Sequence, residues 1–268
     1  MRTAFIGGGV MAEAMFARAI AQGVLQADDV TVSEPVESRR KQLADAYGVT
    51  ATAKNTEATA DAGLVVLSVK PQHLSQVFAD LGGKLGKDQT ALSIIAGVPL
   101  RKLTDGLKHP NVVRVMPNTP ARVGAGMSVW TATASVPPEA REAAAALLGA
   151  MGREWQVPDE HYLDMATAIS GSGPAYVFMF IEALTEAGVY LGMPRDMALT
   201  LAVETVAGSG QLARETGENP ALLREMVTSP GGTTAEGLRE LERGNLRAVV
   251  LEAAMAAYKK ARTLGENA

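Results

Sequence analysis

The chain has 268 residues, 47% of them apolar and 20% charged, with a formal net charge of -4. That balance fits one large globular domain or two ordinary ones, and gives no electrostatic ground for binding nucleic acid or an acidic membrane. The lack of cysteine excludes disulfides, thiol nucleophiles and thiolate metal sites, and His73, His109 and His161 have no spacing that suggests zinc.

Met1-Arg2-Thr3 runs straight into a strand-like segment, with no signal-peptide or transit-peptide pattern, so a cytoplasmic protein is expected. The first half alternates short apolar runs with helical patterns. Strands are expected at Thr3–Ile6, Val30–Ser33, Leu64–Val69, Ala91–Ile95 and Val112–Met116. Helices are expected near Val10–Gln22, Glu37–Tyr47, Pro71–Leu81 and Pro99–Leu107. Such alternation implies parallel βαβ units with right-handed crossovers. Leu64-Val65-Val66-Leu67 lacks polar alternation, as a strand covered on both faces should. Met127–Thr131 and Glu154–Val157 would add edge strands around a helix at Glu139–Met151.

Gly7-Gly8-Gly9-Val10-Met11-Ala12 follows the first strand, opens the first helix and fits G-x-G-x-x-A. Gly7 would make the turn, Gly9 would admit a pyrophosphate to the backbone, and Ala12 would let helix and strand pack closely. The first N–H groups of a helix have no internal partner and carry partial positive charge, so they receive phosphate or carboxylate. A tight turn without a ligand is the plainer alternative. Glu34, ending the second strand, suits an adenine ribose hydroxyl and would repel a 2′-phosphate, which leans toward NADH. Ser33, Arg39 and Arg40 lie near enough to accommodate NADPH, although a solvated helix face is the simpler expectation for the two arginines. Ser68-Val69-Lys70-Pro71-Gln72 ends another strand on the ligand side; Lys70 there either nears the cofactor or faces solvent. Small residues in Ile95-Ala96-Gly97-Val98-Pro99 would let a nicotinamide lie flat. Asn55 either caps a helix or also contacts the adenosine.

After Pro158 the pattern is helical throughout. Helices are expected at Asp159–Ala168, Pro174–Leu191, Arg195–Thr216, Ala221–Val227, Thr233–Glu242 and Leu246–Leu264. The expected division is a Rossmann-like dinucleotide-binding domain over 1–158 and an all-helical domain over 159–268. Pro174–Leu191 is apolar on most faces but holds Glu182 and Glu186, so a buried helix is expected rather than a membrane span. A domain of roughly 110 residues can hardly enclose it and still cover its other long helices, which points to self-association. A central helix in a monomer is the alternative.

Thr228-Ser229-Pro230-Gly231-Gly232-Thr233-Thr234 leads into another helix start. Its glycines let the backbone turn tightly and approach a ligand, making a second anion socket. Two sockets suggest two ligands. No Ser-His-Asp arrangement is apparent. Ser172 in Ser170-Gly171-Ser172-Gly173-Pro174 resembles a nucleophile elbow only superficially, because no strand precedes it. Asp159, Glu160 and Asp164 read as capping and surface charges. Reducing a carbonyl usually needs a proton donor, whereas an iminium nitrogen is already protonated. A protein without an acid–base histidine suits the latter: it need only hold the ring against nicotinamide and bind its carboxylate.

These residues resemble bacterial pyrroline-5-carboxylate reductases along essentially the whole chain. The motifs that carry the resemblance are Phe5–Met11, Val69–Gln72, Arg114–Pro120, Ser170–Tyr176 and Ser229–Thr234. It implies an α/β fold, an N-terminal Rossmann-like domain followed by an all-helical dimerisation domain, with dimers that assemble further, commonly to decamers. It also implies reduction of (S)-1-pyrroline-5-carboxylate to L-proline by NADPH or NADH. On this likeness Gly231, Gly232, Thr233 and Thr234 would bind the substrate carboxylate, and the Thr234 hydroxyl would bond the ring nitrogen. Met116, Pro117 and Asn118 would line the site beside the nicotinamide. Ile6, Gly7, Gly8, Gly9, Val10, Met11, Ser33, Glu34, Val69, Lys70, Pro71, Ala96 and Gly97 would contact the cofactor, and Asn55 its adenosine part. Arg114 would orient the loop or touch substrate. Glu34-Pro35 departs from the Asn-Arg-like pair of many bacterial members, which bears on the choice between NADH and NADPH.

Two rival readings share the architecture. A β-hydroxyacid dehydrogenase would use a lysine as general acid on the interdomain helix, and Gly173–Gly188 contains none. A silent dinucleotide-binding regulator would bind nicotinamide without turnover.

Overall fold

The computed structural model describes residues 1–266, of Glu266 the backbone only. Two compact units emerge: Met1–Ser172 together with the chain from Ala257 onward, and Gly173–Ala256. The expected break after Pro158 falls inside the first unit, because the helix that follows packs on the sheet. Residues 267–268 of the expected second domain lie outside the described residues.

The first unit is built on β1 (Thr3–Ile6), β2 (Val30–Ser33), β3 (Thr50–Thr52), β4 (Leu64–Leu67), β5 (Thr90–Ser93), β6 (Val112–Met116), β7 (Gly126–Ala132) and β8 (Gly152–Gln156). The sheet order is β3-β2-β1-β4-β5-β6-β7-β8. β1 to β6 are parallel neighbours, β7 runs antiparallel to β6, and β8 is parallel to β7. Helices α1 (Val10–Ala21), α2 (Glu37–Tyr47), α3 (Asn55–Thr59), α4 (Leu74–Leu81), α5 (Leu100–Leu107), α6 (Pro138–Gly149) and α7 (His161–Ala166) lie between or after the strands. Side chains alternate along each strand, so the sheet feeds two cores. Phe5, Val32, Leu92 and Val113 join Met15, Phe16 and Leu147 in one. Ala4, Ile6, Val65 and Leu67 join Leu74, Leu81, Leu103 and Leu107 in the other. The chain moves outward through β2 and β3, then returns to place β4 on the far side of β1. That reversal is where open α/β sheets form a ligand crevice at the strands' carboxyl ends.

The second unit holds α8 (Gly173–Tyr190), α9 (Arg195–Thr216), α10 (Pro220–Met226), α11 (Thr233–Arg243) and most of α12 (Leu246–Glu266). α8 meets α9 through small residues: a Cβ on Gly188 would lie 2.7 Å from that of Ala198. Thr185 and Gly188 are the buried residues of α8, so the alternative of a central helix enclosed by its own chain does not describe it. Small residues make the contact, and the large apolar ones point away from it. Phe178 is 62% exposed, Met179 72% and Leu191 77%. The monomer with an enclosed central helix is thereby excluded, and the apolar face is left for another surface.

Candidate active site

The glycine turn has the geometry that its spacing promised. Gly7 adopts φ +100°, and a Cβ there would crowd the Ser68 carbonyl at 3.0 Å. The Ser68 hydroxyl reaches the carbonyls of Ile6 and Gly7 at 3.0 and 2.9 Å, tying the ends of β1 and β4 together. At Gly8 a Cβ would meet Leu43 at 2.8 Å. Gly9 caps α1 from an extended conformation, with nothing within 4 Å of the place a side chain would take. The backbone there is open to a pyrophosphate. Val10 is exposed, while Met11 packs against the core.

Glu34 is clamped by the turn. Its Oε2 accepts the Gly8 N–H and its Oε1 the Val36 N–H, both at 3.0 Å. Arg39 and Arg40 do not form a solvated helix face. Arg39 donates from Nε to the Gly8 carbonyl at 2.9 Å, and its other nitrogens reach Gln42 and Glu13. Arg40 donates to the carbonyls of Glu34 and Pro35 at 2.8 Å. Closing the β2–α2 turn around a glycine loop exposes carbonyls that need donors, and these guanidinium groups supply them. Burial pushes the Glu13 carboxyl up, but hydrogen bonds from Arg39 and Tyr47 and the charges of Arg39 and Arg122 outweigh it and hold Glu13 below its ordinary value.

Asn55 opens α3 but caps nothing; Lys54 holds the N-cap position. Its Nδ2 donates to Asp80 at 2.8 Å, which fixes the amide so that Oδ1 accepts from the Ser33 hydroxyl at 2.7 Å. Along β4's end, Val69 packs against the second core cluster while Lys70 and Pro71 are exposed. Ala96 is exposed and Gly97 turns at φ +73°. The room left by the missing Gly97 side chain is taken by α12, since a Cβ there would lie 3.1 Å from that of Leu264.

Midway along β6, Arg114 is buried and pairs with Glu160 at 2.8 Å and Asp164 at 3.4 Å. These two carboxylates are therefore not surface charges. Glu160 also accepts the Leu100 N–H at the start of α5. Asp159 keeps its capping role, accepting the His161 N–H. Met116 packs with Val129, Val157 and Leu163, and Pro117 is buried. Asn118 bonds the Met127 N–H and the Ser170 carbonyl. Ser170 belongs to a π-turn, Thr167–Gly171.

In the second unit, Gly231 turns at φ +71° with nothing near its Cα substituent position. Gly232 is the extended N-cap of α11 and offers no side-chain cap. The hydroxyls of Thr233 and Thr234 have no partner among the described residues. The N–H groups of the first turn are therefore free to hold an anion. Among the described residues no cluster of His, Asp or Glu is arranged to hold a metal ion, and no helix is long and apolar enough to cross a membrane.

Comparison with known proteins places this geometry. A Synechocystis protein named pyrroline-5-carboxylate reductase is 43% identical over 98% of this chain and 97% of its own. The chain belongs to the pyrroline-5-carboxylate reductase family. The Escherichia coli pyrroline-5-carboxylate reductase is 39% identical over 98% of both chains. The family model "Pyrroline-5-carboxylate reductase dimerisation" matches residues 160–264, and "NADP oxidoreductase coenzyme F420-dependent" matches residues 2–97. A solved pyrroline-5-carboxylate reductase from Coxiella burnetii superposes with a TM-score of 0.92 at 34% identity, over 98% of each chain. A Plasmodium falciparum pyrroline carboxylate reductase with NADP bound gives 0.88 at 29% identity, over 99% of this chain and 98% of that one. This pyrroline-5-carboxylate reductase homologue is thus an NAD(P)-dependent oxidoreductase with an N-terminal dinucleotide-binding domain and a C-terminal helical dimerisation domain. Sequence reasoning missed the Arg114 ion pairs. Their signal was an arginine inside the apolar run Val112–Met116, since a charge in a covered strand must find a partner.

Proposed function

We propose that the chain is a cytoplasmic enzyme that reduces the C=N bond of (S)-1-pyrroline-5-carboxylate to L-proline, working as a homodimer or as a decamer built from five such dimers. A bound reduced nicotinamide supplies the hydride; the protein's part is binding and orientation. The observation that carries the reading is the bare start of α11. The Gly232 N–H is taken by the Ser229 carbonyl at 3.0 Å, but those of Thr233 and Thr234 have no partner among the described residues and suit a carboxylate, and the free Thr234 hydroxyl suits a protonated ring nitrogen, which would donate to its oxygen. No protein acid is required, because that nitrogen carries its proton already.

The cofactor fits the first unit at Gly7–Met11, where Gly9 leaves the pyrophosphate a clear approach. We read NADH as the preferred form. Glu34 keeps a carboxylate beside the ribose position, and Arg39 and Arg40 are engaged with carbonyls and with Glu13.

The test is loss of reduced-nicotinamide absorbance with pyrroline-5-carboxylate, run in parallel with NADH and NADPH. Rapid oxidation establishes the reaction, and a ratio favouring NADH supports the role of Glu34. Folded protein that binds either cofactor yet oxidises neither would reject the proline assignment.

A further inference from the structure

Asn118 sits in a motif expected to line the site, yet its side chain is committed elsewhere. Oδ1 accepts the Met127 N–H at 2.9 Å, and Nδ2 donates to the Ser170 carbonyl at 3.1 Å. An N–H only donates and a carbonyl only accepts, so the two partners fix the orientation of the amide.

The Ser170 carbonyl needs this donor for a covalent reason. In an α-helix its partner would be the N–H of residue 174, and Pro174 has none. The backbone around it is a π-turn, closed by Ser172 N–H to the Thr167 carbonyl at 2.8 Å. Neighbouring hydroxyls do not help: Thr167 and Ser170 both turn back to donate to the carbonyls of Leu163 and Ala166. Gly171, in the same turn, has no side chain to obstruct Met116; a Cβ there would come within 2.7 Å of the Met116 methyl carbon. Met116 and Asn118 are both seated on this one turn, and Arg114, on the same face of β6 as Met116, is anchored to α7 just before it. Single-turn π segments recur at functional sites.

We propose that Asn118 is a positioning residue and not a substrate ligand. Its carboxamide replaces the amide donor that Pro174 lacks, and so holds Met116 and Pro117 in place for the reaction. This inference rests on the reductase reading above.

The test uses the full chain. Asn118→Ala should lower kcat by roughly 10- to 100-fold, the scale of an ångström of misplacement, with KM for pyrroline-5-carboxylate little changed. Asn118→Asp keeps the acceptor for Met127, loses the donor, and should behave alike if the alanine variant fails to fold. Adding Pro174→Ala to either gives residue 174 an N–H and should raise kcat several-fold over the single variant. Hydrogen exchange at the Met127 amide should quicken in Asn118→Ala and stay slow in Asn118→Asp. A raised substrate KM with kcat intact, or no recovery from Pro174→Ala, would overturn the proposal. If the wild type showed no reductase activity, the reductase reading would fall. Exchange at Met127 would still report on the brace, and unchanged exchange in Asn118→Ala would sink it.

Discussion

Gly7 and Gly9 stand two residues apart and lack a side chain for different reasons. Gly7 is conformational: at φ +100°, with the Ser68 carbonyl 3.0 Å from any Cβ, Gly7→Ala should cost roughly 1–3 kcal/mol and lower Tm in a thermal melt. Gly9 is chemical. Its side-chain position is empty space, so Gly9→Leu should fold normally yet raise the cofactor KM by at least about tenfold, or ~1.4 kcal/mol. On the proposed cofactor pose, Glu34→Ser removes a carboxylate from beside the ribose. The ratio of kcat/KM for NADH over NADPH should then fall by about tenfold or more, because like-charge juxtaposition costs several kcal/mol. Thr234→Ala should cut kcat/KM for pyrroline-5-carboxylate by about 10- to 100-fold, the worth of a hydrogen bond to a charged group, and leave cofactor binding unchanged in a titration. Wild-type kinetics in that variant would remove Thr234 from the site.

Elements are held to one another by a few polar ties. Glu13 on α1 bonds Arg39 and Tyr47 of α2, so the helix behind the Gly7–Gly9 turn is braced by the helix behind Glu34. The Glu13 carboxyl is held below its ordinary 4.5, so its ionised form is favoured by the fold. Its contribution is complete above about pH 4.5 and is lost as pH falls through the lowered value. Glu13→Gln should therefore be less stable than wild type in urea melts at pH 7, with the difference shrinking toward pH 3. Most elements are legible in the sequence, because apolar period and glycine–proline punctuation mark them locally. Thr50–Thr52 escaped notice because a three-residue edge strand with no buried position leaves no apolar run. The π-turn was likewise invisible: it depends on Pro174 withholding a donor and on Asn118, distant in sequence, supplying one. Arg39 and Arg40 were misread because a helix-face arginine looks the same in sequence whether it meets water or a loop carbonyl.

For the whole molecule, the two units have opposite surfaces. The first buries its large apolar residues in two cores, while the second exposes Phe178, Met179, Tyr190 and Leu191. Such a surface calls for a second copy, and the match to a dimerisation family over residues 160–264 agrees. Wild-type Tm should rise with protein concentration. A Phe178→Glu, Met179→Glu variant should run smaller than wild type in sedimentation, and an unchanged size would move the interface elsewhere. The first unit is also discontinuous: the chain leaves it after Ser172 and returns at Ala257. The returning segment buries Ala261, sets Leu264 over Gly97 and brings the Tyr258 hydroxyl to His161 at 3.3 Å. A ribosome delivers the chain from its N-terminus, so all eight strands emerge before this last piece exists. The domain begun first is closed last, and a nascent chain halted before Ala257 would carry a finished sheet with the surface around Gly97 and His161 still uncovered.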